Sequence, residues 1–104
     1  MKRIVAGIAL TLAVGIVAAK EVVIDVRTPQ EFAQGHVQGA LNIDHSVIGQ
    51  EIGKAAVAKD DTVILYCRSG QRSGKALETL KQMGFSRVEN YGSLENARKR
   101  LGRQ

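Results

Sequence analysis

Thr62-Val63-Ile64-Leu65-Tyr66-Cys67-Arg68-Ser69-Gly70-Gln71-Arg72-Ser73 is the stretch whose reading decides the fold. Its first five residues form a continuous run of β-branched, aliphatic and aromatic side chains, too short for a helix and flanked by polar residues. That pattern predicts a strand buried on both faces. Beyond the run, Ala76, Leu77, Leu80 and Met83 recur at helical spacing, and Gly84 follows as a C-terminal cap. A buried strand that feeds directly into a helix is the building unit of a parallel sheet covered by helices.

The same alternation extends in both directions. Toward the N-terminus, Val22-Val23-Ile24-Asp25-Val26 is a second β-branched run. Thr28-Pro29-Gln30-Glu31 after it reads as a capping box with proline at the first helical position, opening a short helix that ends near Gly35. Residues Ala40 to Ile43 form a short strand, and Ile48, Ile52, Ala55 and Ala56 recur as a helix, with Asp44 or Ser46 as its cap. Toward the C-terminus, Arg87 to Tyr91 is a weaker strand, and Ser93 caps a last helix carrying Leu94, Ala97 and Leu101. The order β-α-β-α-β-α-β-α predicts one α/β domain with a mostly parallel sheet. Ligand sites in that architecture lie beyond the carboxyl ends of the strands. Asp25-Val26-Arg27 and Tyr66-Cys67-Arg68 therefore share one edge.

Length and composition agree. A chain of 104 residues with 24% charged side chains is one ordinary globular domain. Its single Cys excludes an internal disulfide, a CxxC pair and a cysteine-based zinc cluster. Met1-Lys2-Arg3, the uncharged stretch from Ile4 to Val17 and the small residues Ala18-Ala19 have the layout of a secretory signal peptide, which favours cleavage after Ala19 over retention as a membrane anchor. The stretch is too short, and too interrupted by Gly7, Thr11 and Gly15, for a stable membrane span. Removing 19 of the 104 residues leaves 85, and losing Lys2 and Arg3 lowers the net charge from +5 to +3. Export places the mature domain, residues 20–104, in the periplasm.

The segment from Cys67 to Ser73 carries the chemistry. Where a strand turns into a helix, unsatisfied N–H groups and the positive end of the helix dipole favour an anion. Gly70 permits the tight curvature that lets successive amides converge. Arg68 and Arg72 add cationic charge. All of these favour thiolate over thiol, which makes Cys67 a nucleophile. A buried apolar cysteine, the alternative, would not be surrounded by two arginines and a glycine.

The pattern Asp25-Val26-Arg27, Glu31-Phe32, Gly35-His36-Val37-Gln38-Gly39-Ala40-Leu41-Asn42-Ile43, and Cys67 through Ser73 resembles a single-domain rhodanese, a thiosulfate sulfurtransferase. Met83-Gly84-Phe85 and Val88-Glu89-Asn90-Tyr91-Gly92 fit as well, so the likeness spans nearly the whole mature chain. With its small size and export signal, the chain is most similar to the periplasmic phage-shock-protein-E type. The resemblance implies a rhodanese-like three-layer domain, a central mostly parallel sheet of four to five strands flanked by helices. It implies Cys67 as the catalytic residue, which takes the outer sulfur of thiosulfate as a persulfide and passes it to cyanide or a thiol. Arg68, Ser69, Gly70, Gln71 and Arg72 would bind substrate, while Asp25, Arg27 and Ser73 would support the loop. No metal or organic cofactor is implied. The expected partners are a small-molecule sulfur donor and a thiophilic acceptor, with no nucleic acid, and the expected assembly is a monomer.

Two other readings compete with this one. Cysteine phosphatases and related arsenate reductases place five residues between Cys and Arg, whereas four separate Cys67 from Arg72, the tighter sulfurtransferase form. A rhodanese-like binding or stress-response module with incidental catalysis is the alternative from a different class. Three further features bear on the resemblance. His36 reads as structural. Asp44-His45 stands where the family commonly has proline after Asn42-Ile43, and Gly92-Ser93 replaces its usual double glycine. The basic cluster Arg98, Lys99, Arg100 and Arg103 reads as a solvated face that complements a helix C-terminus.

Overall fold

A computed structural model describes residues 19–104; the signal segment expected at residues 1–19 lies, but for Ala19, outside the described residues. Four strands, β1 (Glu21–Asp25), β2 (Leu41–Asn42), β3 (Thr62–Cys67) and β4 (Arg87–Ser93), form one parallel sheet in the order β2-β1-β3-β4. The helices are α1 (Pro29–Ala33), α2 (Ile48–Glu51, continued by a 3-10 turn over Ile52–Ala55), α3 (Gln71–Gln82) and α4 (Leu94–Leu101). The expected alternation is present element for element.

The β-branched runs are buried on both faces, as their composition requires. Ile24, Val26, Val63 and Leu65 point to one side, where Ile48, Ile52, Ala76, Leu80 and Phe85 from the α2 and α3 layer cover them. Val23, Ile64 and Tyr66 point to the other side, against Val37, Ala97, Leu94 and Leu101. Burying a side chain such as Ile24 or Leu65, both fully covered, contributes about 1.5–3 kcal/mol each.

Local signals set the element ends. The Thr28 hydroxyl accepts from Glu31 N at 3.2 Å and the Glu31 carboxylate accepts from Thr28 N at 3.0 Å, completing the capping box. At the end of α3, Gly84 adopts φ +102°, Gly84 N donates to Lys81 O at 3.0 Å and Phe85 N to Leu80 O at 3.0 Å. These bonds are a Schellman motif, with Phe85 packed in the same cluster as Leu80. The start of α2 departs from expectation. Asp44 accepts from Ser46 N (2.9 Å) and Ser46 Oγ (3.0 Å), a closed turn placed before the helix, and Val47 takes the cap position with no side-chain bond. Neither Asp44 nor Ser46 caps α2. The turn uses both, because a short polar side chain bonds its own backbone two residues on as readily as it caps.

Candidate active site

Parallel pairing aligns Asp25 with Tyr66, which brings the ends of β1 and β3 to one edge. Cys67 is the last residue of β3 and is fully covered. Arg68 and Ser69 follow at the surface, and Gly70, at φ +95°, turns the chain into α3. A side chain is disfavoured there on two counts: the positive φ, and a Cβ that would stand a tight 3.3 Å from the Gly92 Cα.

The turn aims its backbone at the sulfur. Gly70 N donates to Cys67 Sγ at 3.0 Å, and the Ser73 Oγ, itself buried, lies 3.4 Å from the same atom. Burial pushes the Cys67 thiol up, but the Ser73 hydroxyl and the N–H groups of Ser73, Gly70 and Ser69 outweigh it and hold the thiol below its ordinary value. The arginines contribute less than their sequence positions suggest. Arg72 is committed to Glu31, through bonds of 2.7 Å to Oε1 and 3.0 Å to Oε2. Arg68 makes no ion pair among the described residues and stands free at the surface.

Two residues outside the loop hold it, and neither was singled out for that role from the sequence. Glu31 serves as the capping-box carboxylate and as the clamp on Arg72; only its first role has a local sequence pattern. Asn90, in β4, donates from Nδ2 to Gly70 O at 2.9 Å, while its Oδ1 accepts from Ser73 Oγ at 2.7 Å and from Gly92 N at 2.8 Å. The available signal was a strand-averse amide inside an otherwise strand-like segment.

Asp25 and Arg27 are adjacent but turned to each other. The buried Asp25 carboxylate accepts from Arg27 N at 2.9 Å and from its guanidinium at 2.6 to 3.1 Å, and Arg27 also donates to Gly35 O at 2.7 Å. Asn42 Nδ2 donates to the carbonyls of both. None of these bonds reaches the cysteine loop, so the pair organises the end of β1 beside it. Gln71 begins α3 at the surface. His36 stacks on Phe32 with centroids 3.6 Å apart, its Nδ1 2.8 Å from Phe32 O. His45 Nδ1 lies 3.3 Å from Asp44 Oδ1.

Beside the loop runs an open groove of about 540 Å³, with Arg27, Glu31, Arg68, Ser93, Glu95 and Arg98 among its walls. Among the described residues no cluster of His, Cys, Asp and Glu is placed to hold a metal ion, and no helix is long and apolar enough to cross a membrane. The site can offer a thiol held below its ordinary value, donors converging on its sulfur, and the exposed Arg68 beside it.

A family model described as a rhodanese-like domain matches residues 11–98. The thiosulfate sulfurtransferase PspE of Escherichia coli K12 is 42% identical over 95 residues, 91% of this chain and 90% of that protein. A sulfurtransferase of Allochromatium vinosum is 43% identical over 67 residues, 64% of this chain and 61% of that protein. A solved structure described as a rhodanese with anions from E. coli superposes with a TM-score of 0.70 at 46% identity, covering 73% of this chain and 89% of that one.

Proposed function

The chain belongs to the rhodanese family, and on that premise we propose that it is a thiosulfate sulfurtransferase whose Cys67 carries the transferred sulfur. The Cys67 thiolate attacks the outer sulfur of thiosulfate, the S–S bond breaks, and sulfite leaves with the bonding pair. A persulfide remains on the enzyme. Cyanide or a thiol then attacks the terminal sulfur and restores the thiolate, a covalent double displacement. The observation that best supports this is the convergence of Gly70 N and the Ser73 hydroxyl on a sulfur that ends a buried strand. Such preorganised donors stabilise the negative charge of thiolate and persulfide without reorganising.

Arg68, free at the rim, attracts the substrate dianion, and Ser69, Gly70 and Gln71 present the backbone that surrounds it. Arg72 shapes the loop through Glu31 more than it meets substrate. Ser73 supports that geometry, while Asp25 and Arg27 order the neighbouring end of β1. The E. coli relative described as a rhodanese with anions supports a fold that accepts anions. Residues 1–19 are a signal peptide removed after Ala19, and residues 20–104 work in the periplasm; the basic, apolar and small-residue layout of 1–19 supports this.

Incubation with thiosulfate followed by intact-mass measurement tests the reading. The expected result is a gain of one sulfur atom, absent in Cys67→Ala and discharged by cyanide as thiocyanate. A protein that gains no sulfur and yields no thiocyanate would overturn the enzymatic reading and favour a binding module.

A further inference from the structure

The corner of the sheet opposite Cys67 holds a buried carboxylate that the sulfur chemistry does not use. Asp61, 2% exposed, precedes β3 and accepts from Lys20 N at 2.9 Å on Oδ1 and from Ala58 N at 2.9 Å on Oδ2. Lys20 is tied at two further points: its carbonyl accepts from Thr62 N at 2.8 Å, and its Nζ donates to Ala56 O at 3.2 Å. The nitrogen bonded to Asp61 is the one that the expected cleavage after Ala19 would free.

We propose that Asp61 is the receptor for the amino terminus released by cleavage between Ala19 and Lys20. The inference rests on the processing proposed above. In that step a protease of the export machinery adds water across the Ala19–Lys20 bond; Ala19 leaves as a carboxylate and Lys20 N becomes an ammonium group. The same nitrogen, already 2.9 Å from Oδ1, then bears a full positive charge. A neutral amide bond to a carboxylate becomes a charge-assisted one, with no movement of the backbone. Processing converts a neutral amide contact into an ion pair on a buried carboxylate. Because β1 runs about 16 Å from this corner to the catalytic edge, the conversion leaves the cysteine loop untouched.

The consequence is a dependence of stability on the α-amine. A free α-amine titrates near pH 7.7–8.0 in an unfolded chain. An ammonium paired with Asp61 in the fold has a higher value, so its stabilisation is full below the unfolded value and is lost as pH rises through the folded one. Charged side chains on the elements that meet here are Lys20, Glu21, Lys59, Asp60, Arg87 and Arg103. Carboxylates, lysines and arginines ordinarily titrate outside the window between about pH 7.5 and 9.5.

The test exports the full chain from a bacterial host and determines the N-terminal residue of the product. Lys20 is expected; a different first residue would overturn the processing step by itself. Melting curves between pH 6 and 10 then test the receptor. The wild type should lose about 3–6 °C of Tm across the window, and Asp61→Asn should lose little there. Equal slopes in the two proteins would overturn the proposal. Should Asp61→Asn fail to fold, the wild-type α-amine can be acetylated at pH 6.5 in denaturant, where lysines are spared, and the protein refolded. A flattened slope supports the receptor, and an unchanged slope overturns it.

Discussion

Ser73 has a single hydroxyl proton and two acceptors within reach, Asn90 Oδ1 at 2.7 Å and Cys67 Sγ at 3.4 Å. While Cys67 is a thiol, the shorter bond directs the hydroxyl proton of Ser73 to Asn90 Oδ1. When Cys67 ionises, the sulfur becomes a charged acceptor, and charged acceptors draw the stronger hydrogen bonds. Rotation of one O–H therefore couples the ionisation of the nucleophile to the amide that braces its loop. Replacing Ser73 with Ala removes a donor from the thiolate and leaves the covering of the sulfur in place, so the thiol is harder to ionise. The rate of sulfur loading rises with pH as thiolate forms. In Ser73→Ala that rising limb should move to higher pH, and at a fixed pH below it loading should fall about 3- to 10-fold, the worth of one hydrogen bond of about 1 kcal/mol. Stopped-flow measurement of loading against pH checks this; an unmoved limb would show that the amides alone set the acidity.

At the scale of elements, α1 is only five residues long, yet it fixes the loop through Glu31. Its capping function was legible because Thr28, Pro29 and Glu31 follow a local pattern; its grip on Arg72, 41 residues away, has no such pattern. The Arg72 guanidinium, then the Thr28 amide, holds the Glu31 carboxyl down to about 2 from a usual value near 4.5. A carboxylate with a depressed folded value stabilises the protein above its unfolded value, and that stabilisation is lost as pH falls from about 4.5 toward 2. The pair is partly solvated, so its worth at neutral pH is at most about 1 kcal/mol. Glu31→Gln keeps a capping-box residue and removes the charge. The variant should melt within a few degrees of wild type at pH 7. Below pH 4.5 its stability should fall less steeply, and thermal melts across pH 2–7 distinguish the two curves.

Across the whole molecule, the sheet carries the cysteine loop at the carboxyl end of β3 and the buried Asp61 at the opposite end. The alternation of strands and helices and the burial on both faces could be read from the β-branched runs, and α3 from its apolar spacing, because those signals repeat at periods of two and 3.6 residues; the spatial order β2-β1-β3-β4 could not. The basic cluster at the end of α4 reads from the sequence as a solvated face, but only Lys99 and Arg100 are exposed: Arg100 lies 3.9 Å over the Tyr91 ring, while the half-buried Arg103 donates to Gln38 O and reaches Glu21. What could not be read is the route by which β4 reaches the active loop. Asn90 meets Ser73 and Gly70 across 17 and 20 residues, and no local period encodes such a contact. Its three bonds join strand, loop and helix start, so Asn90→Ala should loosen the loop more than it destabilises the fold. Loss of these partly solvated bonds should lower stability by about 1 kcal/mol. The loading rate should fall by about tenfold or more, because positioning errors at a reacting atom are costly. The pH limb separates this variant from Ser73→Ala. With Asn90 gone, the Ser73 proton is left to the sulfur alone, so the limb should stay in place or move to lower pH while the plateau rate drops. A limb that moved up together with the Ser73→Ala limb would mean that Asn90 acts by orienting the hydroxyl toward the sulfur and not by holding the loop.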